Sequence, residues 1–300
     1  MRRLVDGVLL LDKPKGLGSN AALQRVKRLF RAEKAGHGGT LDPLASGLLP
    51  LMFGEATKFA SRMLDSDKRY VAHIKLGETT ATGDAEGPVL DRRTVQVDDQ
   101  RIEAALAGFR GPIFQIPPMY SALKVQGRPL YELARSGQTV DRAPRQVELH
   151  QLKLLSRSGD CLEVEIECSK GTYVRTLAMD LGEVLGTGAH LSDLRRTGTG
   201  RFSIEEAVRL DLLETVPDEA SLDACLVPLE QLFLGLPRVE LNSAESARFR
   251  NGQWLAALAA PEGMCGVFTD RGELIGLADM APDGVLRALR LRSSCAAASG

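Results

Sequence analysis

Three hundred residues, 44% apolar and 26% charged, suffice for one large domain and one small one, and a net charge of −1 excludes a polybasic protein that would hold nucleic acid through bulk charge alone. No apolar run approaches the roughly 20 residues that a bilayer span needs, and Arg2 and Arg3 lead into no apolar stretch before Asp6, so neither a membrane span nor a secretory leader is expected. Five cysteines, an odd number with no C-x-x-C pair and no histidine at ligand spacing, predict reduced structural thiols in a cytoplasmic protein and no metal site.

GVLLL at 7–11 predicts a short buried strand, which DKPKGLGS breaks. Ser19 is placed to cap a helix over 20–32, with Ala22, Val26, Leu29 and Phe30 as its apolar stripe and Arg25, Lys27, Arg28 and Arg31 outside. Charge is unevenly spread: residues 1–36 carry nine basic residues against three acidic ones, and residues 205–230 carry one against eight. One face of a nearly neutral molecule is therefore expected to attract phosphate.

GHGGTLDPLASGLLP, residues 36–50, puts a single carboxylate, Asp42, in a Gly-rich and Pro-punctuated loop between apolar segments. Residues 69–76 predict a strand, GETTATGDAEGP a polar loop, and 98–108 an amphipathic helix. The proline-rich segment 112–137 reads as an excursion from the core with a short helix near 129–136. Leu162, Val164, Ile166 and Cys168 alternate with three glutamates, the pattern of a half-buried strand. SKGT then leads to a helix over 173–185, with Thr172 placed as its N-cap. Residues 205–234 are acidic and helical, a wrapping or linking segment. From Leu236, short strands divided by Gly and Asp turns predict a small β-barrel, and 293–300 a disordered tail.

Taken with GEATKFA at 54–60 and DSDKRYVA at 65–72, the Asp42 loop resembles the tRNA pseudouridine synthase B (TruB) family, whose signature runs G-H-x-G-x-L-D-P-x-A-x-G-x-L-P. That family isomerises uridine 55, in the T-loop of tRNA, to pseudouridine. The resemblance covers about residues 5–235. It implies an α+β pseudouridine synthase fold, a mixed and mainly antiparallel sheet with flanking helices and a central cleft. The domains would then be 1–235 for catalysis, with an RNA-gripping insertion at 112–142, and 236–292 as a PUA-like RNA-binding barrel. It implies tRNA as partner, through the T-arm and the acceptor end. It also implies a monomer without membrane attachment, and no metal, nucleotide or organic cofactor.

The reaction breaks the bond from C1′ to N1, turns the uracil and rejoins it through C5. An ionised carboxylate suits a cationic sugar carbon, as in glycoside chemistry. Asp42 is the candidate, either by attack at C1′ or by removal of the 2′-proton to give a glycal. By resemblance, Arg175 in SKGTYVRTL pairs with Asp42. An arginine in a first helical turn is poorly placed without an anion nearby, which makes such a partner physically reasonable. Tyr70 matches the family tyrosine that stacks on the uracil and is a candidate base for the C5 proton; a helix or strand aromatic in the core is the plainer reading of Tyr70 and Tyr173. Tyr173 and Leu194 match contacts to the base. His37 matches the residue that fills the space left by the flipped nucleotide. Lys13 and Lys58 match two flanking motifs, as RNA contacts or as structural residues, while Asp84 reads as a loop-ordering acid. Arg195, Arg196 and Arg201 would extend the basic surface. Gly38 and Ala81 depart from a usual Thr and Asp. Two rivals remain: a non-catalytic tRNA-binding or RNA-folding protein, and an Asp-nucleophile hydrolase, for which the four histidines offer no base constellation.

Overall fold

The computed structural model describes residues 2–121, 123–125, 127–256 and 260–293, with the backbone alone at 124, 129 and 135. The expected tail, beyond Ser293, lies outside the described residues.

The first half runs β1 (Gly7–Lys13), α1 (Ser19–Leu29), β2 (Ala35–His37), β3 (Ser46–Phe53), α2 (Ser61–Leu64), β4 (Lys68–Leu76), β5 (Glu78–Thr80), β6 (Val89–Arg92), α3 (Asp99–Ala107), β7 (Gly111–Gln115), β8 (Lys124–Val125), β9 (Arg128–Pro129) and α4 (Leu130–Arg135). It continues with β10 (Arg145–Ser158), β11 (Cys161–Cys168), α5 (Val174–Leu185), β12 (Ala189–Thr199), β13 (Phe202–Ser203), β14 (Val208–Arg209), α6 (Leu210–Leu213) and α7 (Glu219–Ala224). The last segment is β15 (Arg238–Leu241), α8 (Ser243–Arg250), β16 (Gly263–Thr269), β17 (Leu274–Met280) and β18 (Leu286–Leu291).

A mixed sheet has the order β14–β1–β3–β12–β4–β11–β10–β7, with β2 beside β3 and β13 beside β12. Pairing is antiparallel except between β1 and β14 and between β3 and β12. This is the expected α+β architecture, a mixed and mainly antiparallel sheet with flanking helices. The sequence patterns follow from which faces are covered. Leu9, Leu11, Leu49 and Leu51 pack into one core, under α1 and α5, while Val8, Leu10, Leu48 and Met52 pack into a second core behind the sheet. With both faces covered, β1 and β3 read as continuous apolar runs. On β4 and β11 only one face is covered, so Tyr70, Ala72 and Ile74 alternate with partly or fully exposed residues, and Leu162, Val164 and Ile166 with glutamates.

Several expectations need correction. The polar loop after β4 contains a hairpin, β5 with β6. The excursion starts later than residue 112, because Gly111–Gln115 pairs with β10 as an edge strand. Thr172 does not cap α5: Tyr173 holds the N-cap position without a side-chain cap, and the Thr172 hydroxyl donates to Ser169 O. The acidic segment does wrap, and it does so against the basic N-terminal region. Arg3 meets Asp223 at 2.7 Å, Arg31 meets Glu219 at 2.9 Å, and Arg25 pairs with Glu214. Three of the nine basic residues of that region, Arg3, Arg25 and Arg31, are thereby paired with the acidic segment.

The C-terminal segment forms a four-stranded sheet, β15–β16–β17–β18, around its own core, in keeping with a PUA-like module. α8 escaped the sequence reading because only Ser246 and Phe249 are buried in it, too few to leave a periodic stripe. Phe233 bridges the two units. Its ring meets Phe59 edge-on at 5.0 Å and Phe268 at 6.4 Å, inside the core that also holds Val8 and Leu48. Among the described residues no helix is long and apolar enough to cross a membrane.

Candidate active site

Asp42 lies in the loop between β2 and β3. Leu41, Leu44 and Ala45 are buried and anchor it. Gly39 takes a φ of 135° and Gly47 a φ of 100°, conformations that a side chain resists. Gly38 is not forced by its backbone. An added Cβ would lie within 2.5 Å of Met63 Cβ, so Met63 fills the space a larger residue would need, which accounts for the departure from Thr.

Ser19 has a different task from the one its sequence position suggests. It is the first residue of α1, Gly18 is the N-cap, and the Ser19 side chain points into the Asp42 loop. Its hydroxyl donates to Leu41 O at 2.8 Å and accepts from Leu41 N at 2.7 Å. The residue preceding Asp42 is thus tied to the start of a helix.

Arg175 sits in the first turn of α5 with its side chain 6% exposed. Its Nη2 lies 3.0 Å from Asp42 Oδ2 and donates to Tyr120 O at 2.6 Å, and its Nη1 donates to Thr82 O at 3.2 Å. Its Nε lies 3.6 Å from Asp84 Oδ2. Asp84 in turn accepts from the Thr82 hydroxyl at 2.5 Å and from Glu86 N at 3.1 Å. One guanidinium therefore serves two carboxylates near a helix N-terminus, where anions are favoured.

Burial pushes the Asp42 carboxyl above the ordinary range; Arg175 opposes this, Asp84 adds to it, and Lys13 opposes it. The side chain nonetheless keeps 42% of its surface open, because it stands in the wall between two hollows. The first is a cavity of about 360 Å³ lined by Tyr70, Tyr173, Leu194, Lys68 and Arg196. The second, about 480 Å³, is lined by His37, Asn20, Asp84, Tyr120 and Glu86. His37 has a buried Nδ1 without a hydrogen-bond partner among the described residues, and burial lowers its pKa. The Gln115 side chain clamps the Tyr173 backbone, accepting from its N at 3.0 Å and donating to its O at 3.3 Å. Burial raises the Tyr70 phenol above its usual range, chiefly opposed by Arg196. That favours a neutral ring ready to stack over a phenolate base.

The structure thus brings Asp42, Tyr70, Arg175, Tyr173, Leu194 and His37 together around one carboxylate. Two other candidates stand apart. Lys13 is 0% exposed and spends its ammonium on Pro14 O at 2.8 Å and Leu17 O at 2.6 Å, so it holds the turn between β1 and α1. Lys58 pairs with Glu55 at 2.8 Å and donates to the Ser293 hydroxyl at 2.7 Å, at the contact with the C-terminal unit. Arg196 is also misread as surface: it is buried to 1% exposure. Sequence offered no signal for Arg196 or for Ser19–Leu41, since both act on backbone groups far along the chain. Among the described residues no cluster of His, Cys, Asp or Glu could hold a metal ion.

Comparison with known proteins bears on this cleft. The sequence model of the TruB family pseudouridylate synthase N-terminal domain matches residues 27–174. Those of the tRNA pseudouridylate synthase B C-terminal domain and the pseudouridine synthase II TruB C-terminal region match 175–234 and 237–291. A tRNA pseudouridine synthase B of Aromatoleum aromaticum is 52% identical over 297 residues, 99% of this chain and 96% of its own. Another, of Burkholderia lata, is 55% identical over 295 residues, 97% of this chain and 91% of its own. A chain from a Cbf5–Nop10–Gar1 complex superposes with a TM-score of 0.73 at 28% identity, covering 93% of this chain and 79% of that one. A chain from an H/ACA RNP bound to a substrate RNA containing 2′-deoxyuridine gives 0.73 at 26% identity, covering 95% and 84%.

Proposed function

Since the chain belongs to the TruB family and is a tRNA pseudouridine synthase, we propose that its target is uridine 55 of the T-loop and that Asp42 performs the chemistry. The observation that carries this reading is the 3.0 Å pair of Arg175 Nη2 and Asp42 Oδ2 in the wall of a cavity lined by Tyr70, Tyr173 and Leu194. A carboxylate there faces a sugar carbon, and an aromatic and apolar pocket beside it receives a flat base.

The target uridine is flipped out of the T-loop into the Tyr70 side of the cleft, and His37 occupies the space it leaves. Asp42 acts at the sugar, by attack at C1′ or by taking the 2′-proton; the C1′–N1 bond breaks, the uracil turns, and C1′ bonds to C5. Loss of the C5 proton completes the isomerisation, so no redox partner or energy source is consumed. Residues 1–235 form the catalytic unit, the excursion 116–142 closes over the T-arm, and 236–292 reach the acceptor end. The enzyme works as a monomer in the cytoplasm.

The test is tritium release from a T-loop RNA labelled at C5 of the target uridine. Release by the wild-type protein, and none by Asp42→Asn at unchanged RNA affinity, is expected. Release by Asp42→Asn at the wild-type rate would remove Asp42 from the reaction, and RNA binding without any release by the wild type would favour a folding factor.

A further inference from the structure

We infer that Arg196 is a positioning residue of this reaction, one that clamps both limbs of the Asp42 loop at the wall of the cavity it shares with Tyr70. The inference rests on Asp42 and Tyr70 as working groups.

Three acceptors define the clamp. Nη2 donates to Gly39 O at 3.2 Å and Nη1 to Thr40 O at 3.4 Å, both before Asp42, and Nε donates to Leu48 O at 2.6 Å, after it. The main chain of the same residue pairs in parallel register with Gly47. A Cβ at Gly47 would run into that main chain. Side chain and backbone of one residue therefore fix where the loop leaves β2 and where it joins β3. A guanidinium offers N–H groups in a fixed fork, and here three of its donors each meet a different main-chain carbonyl.

The charge is the second observation. Arg175 has two carboxylates at hand, but among the described residues none pairs with Arg196. Its charge adds to the burial that lowers the pKa of Lys13, Lys68 and His37, and it lines the same cavity as Asp42, Tyr70 and Leu194. Burying a cation without a counterion is costly, and an apolar side chain would fill the space more cheaply. A neutral or flexible residue could not present three N–H groups in a fixed fork to three carbonyls.

The experiment compares Arg196→Lys and Arg196→Gln with the wild type, and with Asp42→Asn, by single-turnover tritium release, RNA affinity and thermal melting. Lysine keeps the charge and loses the fork, so it isolates the clamp. Both variants are expected to melt cooperatively and keep the wild-type Kd, with the turnover rate lowered on the order of 10²-fold for lysine and further for glutamine. Wild-type rates in both variants overturn the inference. So does a Kd that weakens at unchanged rate, which would make Arg196 an RNA contact. Loss of the folded state in both variants also overturns it, since Arg196 would then belong to the framework. An active Asp42→Asn would instead sink the catalytic reading; an inactive one beside normal Arg196 variants sinks this inference alone.

Discussion

The Ser19 hydroxyl both donates to and accepts from the backbone of Leu41, at 2.8 and 2.7 Å, at a site that is 4% exposed. No other side chain hydrogen-bonds the main chain of Leu41 among the described residues. Ser19→Ala would leave a buried N–H and a buried carbonyl without that partner. The expected cost is about 1–3 kcal/mol of stability, read by urea denaturation, with a lower turnover rate and unchanged RNA affinity. An alanine variant as stable as the wild type would mean that the loop finds another support.

Arg175 balances Asp42 and the buried Asp84 together. Arg175→Ala strands both acids, and a loss on the order of 3 kcal/mol is expected, the low end of the range for breaking a buried pair because one face of Asp42 is wet. Arg175→Lys restores charge without the fork and should recover much of the stability but little of the activity. Equal recovery of both would show that only charge matters.

Tyr70 tests stacking against proton transfer. Tyr70→Leu removes the ring, and RNA affinity should fall by about 1–3 kcal/mol. Tyr70→Phe keeps the ring, so affinity should hold, and any fall in rate reads the hydroxyl's part in proton transfer. Measured by titration and single-turnover kinetics, equal affinity losses in both variants would argue against stacking.

Lys13 and Lys68 are both buried and held down to about 8. The folded state thus releases their protons before the unfolded state does. Below pH 8 both states carry the proton and the folded state bears the full burial cost; as pH rises above 8 that cost is relieved. Stability should therefore rise between pH 7 and 9, by about 1 kcal/mol per lysine. Above roughly 9 the buried thiols of Cys168 and Cys265, pushed up to about 11, act in the opposite sense, because the unfolded thiols ionise first. Denaturant titrations at several pH values, repeated with Lys13→Met, should show the slope and its reduction. A flat profile in the wild type would contradict the burial of both ammonium groups.

What sequence made legible depended on whether the cause was local. The alternation along 162–168, the apolar runs of β1 and β3 and the Asp42 loop each report on their own few residues, so they could be read. Ser19 looked like a helix cap because cap chemistry and loop-tethering chemistry need the same hydroxyl; only the fold brings Leu41 within reach. Arg196 looked like surface because arginines usually are, and its three carbonyls lie some 150 positions away in the chain. α8 is held by its Asn242–Glu245 capping box more than by an apolar face, so periodicity missed it. The basic N-terminal region could be seen, but not that Arg3, Arg25 and Arg31 within it meet Asp223, Glu214 and Glu219.

The edge-on Phe59–Phe233–Phe268 cluster joins the C-terminal sheet to the reverse side of the strands that flank the Asp42 loop. The second core is therefore common property: a substitution at Phe233 loosens the packing behind β1 and β3 and the footing of the C-terminal sheet at once, so neither unit can be altered there without the other registering it.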